Sequence, residues 1–170
     1  AGGSFYVLPR PSAGGLRRIK PICTHNKRIT DFCSWRGLLV LSGCEAAPAR
    51  PDSHRFAAPD GQPALWFGDV DDLWQFGKPV GTGGPWHNSD VAADEPSDAY
   101  LMAGYDEKSV ELSHDAQETV AFSLEVDLAA DGTWLRYAKF DVPPGKPFIH
   151  TFPQGYSAHW VRLKADRACK

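Results

Sequence analysis

Along residues 119–127, polar and apolar side chains alternate. Val120, Phe122, Leu124 and Val126 point one way, while Thr119, Ala121, Ser123, Glu125 and Asp127 point the other. A period of two marks a half-buried antiparallel strand. The same kind of reading predicts strands over 99–105, 109–113, 118–127, 133–142, 147–152 and 158–164. Asp131-Gly132 supplies the left-handed residues of a hairpin over 127–132. Pro143-Pro144-Gly145 and Pro153-Gln154-Gly155 supply the next turns. Six short strands without a helical pattern predict an antiparallel β-sandwich over 99–170, Ig-like or jelly-roll-like.

The preceding residues read differently. Strands are expected over 4–8, 16–22, 29–35, 38–42 and 64–67, with turns at Gly14-Gly15, around residues 24–27 and at Arg36-Gly37. Residues 45–63, rich in Ala, Pro, Asp and Arg, predict a long loop in which Phe56 is the only large apolar residue. Residues 1–76 together have the size of one propeller blade, an antiparallel sheet with two faces that need neighbours to cover them. Residues 77–98 form a Gly/Pro-rich connection, which suits a binding loop, a linker or a strap along a sheet edge. The expectation is an all-β chain in which a blade-like sheet precedes a sandwich. It would be either the C-terminal end of a larger secreted architecture or a subunit completed by assembly.

Composition narrows the function classes. A net charge of −3 argues against nucleic acid as the default partner. The basic cluster Arg17, Arg18, Lys20, Lys27, Arg28 is interrupted by Pro21 and Cys23 and reads first as a solvated strand face. No apolar run approaches the ~20 residues of a membrane span. Four cysteines (Cys23, Cys33, Cys44 and Cys169) show no CxxC spacing. They fit buried thiols, one disulfide in the N-terminal half, or a metal role. No two of the six histidines lie at i,i+2 or i,i+4. His150 and His159, on strands expected to be neighbours, are the one pair that could meet. There is no GxSxG nucleophile turn, and Gly81-Thr82-Gly83-Gly84 lacks the Lys-Ser/Thr of a phosphate loop.

Three groups of residues can carry chemistry. Asp69, Asp71 and Asp72 follow a strand; Asp69 and Asp71 share a face if that strand continues. Paired carboxylates serve glycoside hydrolysis or a hard cation, whereas aspartates in a turn cap backbone amides. Trp86, His87, Asn88 and Asp90 combine an aromatic ring with hydrogen-bonding groups, as a carbohydrate-contact patch would; the alternative is a loop anchored by burial of Trp86. Asp127 and Asp131 could hold calcium weakly, although an ordinary hairpin explains them as well.

The stretches Ile29-Thr-Asp-Phe-Cys-Ser-Trp-Arg-Gly-Leu-Leu-Val-Leu41, Ala64-Leu-Trp-Phe-Gly-Asp-Val-Asp-Asp-Leu-Trp74 and Ser157-Ala-His-Trp-Val-Arg-Leu163 together carry a resemblance. The chain resembles the C-terminal region of uncharacterised bacterial proteins in which a repeat-built, propeller-like β part is followed by a β-sandwich. The resemblance implies a fold and assigns no catalytic residues. The function expected is a non-catalytic carbohydrate-binding or scaffolding module of an extracellular or periplasmic bacterial protein, with a polysaccharide or oligosaccharide partner and no cofactor. Two alternatives stand beside it: a small hydrolase using Asp69, Asp71 or Asp72, and a self-assembling structural subunit. A homo-oligomer or a missing upstream domain would complete the N-terminal sheet.

Overall fold

The computed structural model describes residues 3–25, 27–43, 54–60 and 64–170. Its secondary structure is dominated by antiparallel strands, so the fold is all-β. The chain forms two compact units. The first is Ala1–Val7 with Pro21–Val80, and the second is Leu8–Lys20 with Gly81–Lys170. The boundaries differ from the 76/77 and 98/99 divisions of the sequence pattern. Residues 8–20 join the second unit, and so does the connection from residue 81 onward.

In the first unit, β1 (Ser4–Val7) pairs with β2 (Lys20–Thr24). A four-stranded sheet contains β3 (Asp31–Trp35), β4 (Leu38–Ser42), β5 (Arg55–Ala57) and β6 (Ala64–Gly68) in the order β3-β4-β6-β5. All pairs are antiparallel. The order is not a plain succession, because β6 inserts between β4 and β5. Arg36 and Gly37 both have positive φ (51° and 86°), which gives the tight two-residue turn between β3 and β4. A strand over 16–22 is not formed. Two short 3-10 turns, Pro11–Ala13 and Gly15–Arg18, stand before β2 instead; Gly14, at φ 104°, links them through a conformation that a side chain disfavours. β5 lies inside the segment expected to be loop. Residues 45–53 and 61–63 of that expectation fall outside the described residues, as do Cys44 and Asn26 of the 24–27 turn.

Register assigns the faces of the four-stranded sheet. Phe32, Leu41, Trp66 and Arg55 lie opposite one another on one face. There Leu41 and Trp66 join Ile22, Cys23 and Leu73 in a buried core, with Phe5, Ile29, Leu39 and Phe76 packed around it. Cys33, Val40 and Phe67 define the other face.

The second unit is a sandwich. One sheet runs β10 (Leu135–Val142), β9 (Val120–Asp127), β12 (Trp160–Ala165), β7 (Tyr100–Leu101), and the other pairs β11 (Phe148–Thr151) with β8 (Ser109–Leu112). Five of these strands stand close to where the pattern predicts them, whereas the strand expected over 99–105 shrinks to Tyr100–Leu101. Val120, Phe122, Leu124, Val126, Val142, Leu163 and Ala165 of the first sheet share one core with Leu112 of the second. The connection ends as a strap. Val91 and Ala93 make single bridges to Cys169 and Ala165, and Ser97 exchanges hydrogen bonds with Leu163. Residues 91–97 thereby occupy backbone groups near the end of β12 that β7 does not reach.

Candidate functional site

β4 reads Leu38-Leu39-Val40-Leu41, a continuous apolar run of the kind found in strands buried on both faces. Among the described residues, one of those faces packs against the buried core, and the other carries Val40, itself 6% exposed, amid exposed aromatic rings. There Val40 is flanked across the sheet by Cys33 and Phe67, with Trp35 and Leu38 in the next pair along β3 and β4 and Leu65 and Phe56 toward β5. Phe56 is 61% exposed and Trp35 51%. The three aromatic rings form a row: Trp35 to Phe67, 6.1 Å, and Phe67 to Phe56, 5.4 Å, both edge-to-face. The Arg36 guanidinium lies 4.8 Å from the Trp35 ring centroid and covers one side of the indole. Cys33, Trp35, Val40 and Phe67 line a shallow groove of about 270 Å³. Its lining side chains offer no carboxylate, amide or cation. Its floor among the described residues is apolar apart from the Cys33 thiol.

The predicted carboxylate group is organised differently from a catalytic pair. The strand ends at Gly68, and residues Val70–Phe76 form a 3-10 segment with Asp69 at its N-cap. Asp72, three residues on, accepts the Asp69 backbone N–H at 2.7 Å in a capping box, and its other oxygen lies 3.5 Å from the Gln75 amide nitrogen. Because the strand does not continue, Asp69 and Asp71 do not share a strand face. Asp69 and Asp71 are exposed. The His54 imidazole is 3.9 Å from Asp72 Oδ2, while its Nδ1 lies 2.8 Å from the Phe67 carbonyl oxygen. This arrangement caps the start of the 3-10 segment, as in the alternative in which the aspartates cap backbone amides.

Trp86 is half-buried, packs against the sandwich core and lies 6.4 Å from the Phe122 ring. It anchors its loop. His87, Asn88 and Asp90 are exposed beyond it; Asn88 sits at φ 50°, and the His87 N–H donates to Ser89 Oγ at 3.2 Å. Asp127 is 3% exposed, and its carboxylate accepts the backbone N–H groups of Ala129, Asp131 and Gly132 at 3.2, 3.3 and 2.8 Å. Asp131 Oδ1 accepts the Thr133 N–H at 2.8 Å. Both carboxylates are thus used by the hairpin. Among the described residues no three His, Cys, Asp or Glu side chains converge as metal ligands. Cys23, Cys33 and Cys169 are free thiols. No helix among the described residues is long and apolar enough to cross a membrane.

His150 and His159 do not meet. His150, on β11, lies 3.1 Å from the Tyr137 hydroxyl. Tyr137 has no partner opposite it on β9, because the register slips between Arg136 and Ala138, and this bulge redirects its ring toward β11. His159 is 7% exposed and its Nε2 is 3.0 Å from the Ile19 carbonyl oxygen. A carbonyl only accepts, so Nε2 carries the proton. Burial pushes the His159 pKa down, with Lys20 and Arg18 adding to the effect and the Ile19 bond and Asp127 opposing it. The contribution of neutral His159 is therefore complete above the ordinary value of 6.5 and is lost as pH falls through the lowered folded value. Thermal unfolding from pH 7.5 to 5 should show a falling midpoint, and His159→Gln should flatten that slope. An unchanged slope in the variant would assign the pH dependence to another group.

The aromatic row was not singled out from the sequence, although its signal is present: β4 is apolar on both faces, and its neighbours bring Trp35, Phe56 and Phe67. The missing information was the pairing register. Compared with known proteins, the chain matches no family model, no curated protein and no solved structure.

Proposed function

We propose that the chain is a non-catalytic scaffolding module whose first unit is completed by a second copy of itself, packed sheet face to sheet face across Trp35, Phe56 and Phe67. The observation that carries this reading is the row of rings beside β4: Trp35 and Phe56 are 51% and 61% exposed on the sheet face that lies opposite the buried core. Stacked sheets pack about 10 Å apart through interdigitating side chains. A two-fold contact needs only one self-complementary patch, and this face supplies it without any other partner. An apolar floor also favours a protein surface over a sugar, whose hydroxyls need fixed polar contacts.

Light scattering at two concentrations tests the proposal. The expected result is twice the chain mass at the higher concentration, with Cys33 slow to react with a maleimide because it lies in the covered groove. The double variant Trp35→Ser, Phe56→Ser removes two large anchors. It should raise the dimer dissociation constant by ~100-fold or more, as expected for buried aromatic hot spots, and expose Cys33. Wild-type protein that stays at the chain mass at both concentrations would overturn the reading.

The row of rings favours one second reading. Trp35, Phe67 and Phe56 form an aromatic line of the kind on which sugar rings stack. Under it, a monomer is retained by an insoluble neutral polysaccharide, and Trp35→Ser abolishes the retention.

A further inference from the structure

The outer face of the large sandwich sheet concentrates positive charge. Register sets Arg136 and Arg162 on either side of Glu125, and Lys139 and Lys164 on either side of Ser123. These form two cross-strand rows, with neighbouring strands ~4.8 Å apart. Glu125 is the only carboxylate among the four cations. It accepts from Arg162 at 2.7 Å and from Lys164 at 3.0 Å. Arg136 and Lys139, on the edge strand β10, are exposed and form no ion pair with the described residues. Besides Glu125, Asp141 stands opposite Ala121 and the Ala121 N–H donates to Asp166 at one end of this face; at the other end Asp127, opposite Trp160, is 3% exposed and spent on the hairpin amides.

The opposite end adds aromatic rings and more cations. Trp134 stacks on the Arg162 guanidinium at 4.3 Å. The Trp160 indole N–H donates to the Arg17 carbonyl at 2.8 Å, and His159 donates to that of Ile19. Residues 17–19 are thus held by their backbone, so the side chains of Arg17, Arg18 and Lys20 remain exposed. The Arg17 guanidinium comes within 3.6 Å of where a Gly132 Cβ would stand, beside the hairpin that precedes Trp134. Of the basic cluster seen in the sequence, Arg17, Arg18 and Lys20 therefore belong to the same unit as Arg136, Lys139, Arg162 and Lys164, whereas Lys27 and Arg28 belong to the first unit.

The geometry points to an extended anionic polysaccharide, bearing carboxylate or sulfate groups, as the ligand of this face. Arginine and lysine pair with its charges, and the two indoles at the same end of the sheet offer apolar surface to its rings. Charge complementarity selects a polyanion. Two features favour a sugar polymer over nucleic acid: the flat sheet presents no helix or ribbon to enter a groove, and the chain's net charge of −3 opposes capture of so dense a polyelectrolyte as duplex DNA. This site is independent of the apolar face of the first unit.

The test uses the whole chain with polygalacturonate and heparin as probes, dextran as the neutral control, and single-stranded and duplex DNA as competitors. Binding to at least one acidic polysaccharide at low salt, weakening as salt rises, is expected, with none to dextran. Arg136→Gln with Lys139→Gln leaves the Glu125 network intact and should weaken binding about tenfold or more; Arg17→Gln with Arg18→Gln should do the same. Each variant is checked for an unchanged far-ultraviolet spectrum. Both basic-residue variants should keep the wild-type mass in light scattering, which separates this site from the self-association surface. Failure of the wild type to bind either acidic polysaccharide, full affinity in both basic-residue variants, or tighter binding of DNA at equal salt would overturn the assignment.

Discussion

Replacing Trp66 by alanine should unfold the first unit and leave the sandwich standing. Trp66 is 2% exposed and lies at the centre of a five-residue buried core. Phe76 meets it edge-to-face at 5.1 Å, and His54 lies against it at 5.6 Å. Gly68 shows how closely the ring is held. A Cβ there would sit 2.3 Å from a carbon of the Trp66 ring, so no side chain fits without displacing the indole. Removing a buried tryptophan costs ~3–5 kcal/mol through lost transfer energy and the cavity left behind. A core in a unit of this size rarely supplies more than that. The sandwich has its own core around Leu124 and Val142, which contains no residue of the first unit. Calorimetry of Trp66→Ala should lose one transition and keep the other, and methyl resonances of Leu124 and Val142 should stay at their native positions. A variant that retains both transitions within ~1 kcal/mol of the wild type would show that Trp66 is not the keystone described here.

The second large effect lies in the sandwich. Asp127→Ala removes a buried carboxylate that accepts three backbone N–H groups of one hairpin. Each hydrogen bond to a charged acceptor contributes more than the ~1 kcal/mol of a neutral one. A loss of about 3 kcal/mol or more is expected in urea unfolding. Asp127→Asn keeps one carbonyl acceptor and should recover part of it. The hairpin joins β9 to β10, so faster amide exchange should start at residues 128–134 and extend into β10. Equal stability of the alanine variant and the wild type would rule out this role. The Ala129, Asp131 and Gly132 amides, which lose their acceptor, should exchange faster first.

The legible parts of this fold were those in which local pattern and final environment agree. β9 followed from its alternation, and the hairpin to β10 and the turns on either side of β11 followed from Gly and Pro. β4 was placed at residues 38–42 by its apolar run alone. The segment over 16–22 misled for a physical reason: Leu16 and Ile19 suggest a strand, but Gly14 and Gly15 turn the chain, and residues 17–19 spend their carbonyls on side chains of the sandwich. β5 was hidden because Arg55-Phe56-Ala57 carries no alternation of its own and is strand only by pairing with Ala64–Gly68. Asp72 could have been read as a capping box from its position three residues after Asp69.

The candidate surfaces depended on pairing that no local pattern contains. Arg136, Arg162, Lys139 and Lys164 come from strands more than twenty residues apart and meet because β9 lies between β10 and β12. Trp35, Phe67 and Phe56 come from three strands whose order is not their sequence order. By itself the sequence determined the all-β class, the sandwich strands, the hairpin chemistry of Asp127 and the apolar character of β4, since these follow from period, turn residues and hydrophobicity over a few neighbours. Tertiary structure alone decided which face of the first sheet stays open, that the basic segment 17–20 joins the second unit, and that Trp86 is an anchor. Each of these depends on strand register and on contacts across tens of residues, where a shift of one position exchanges the buried face for the exposed one.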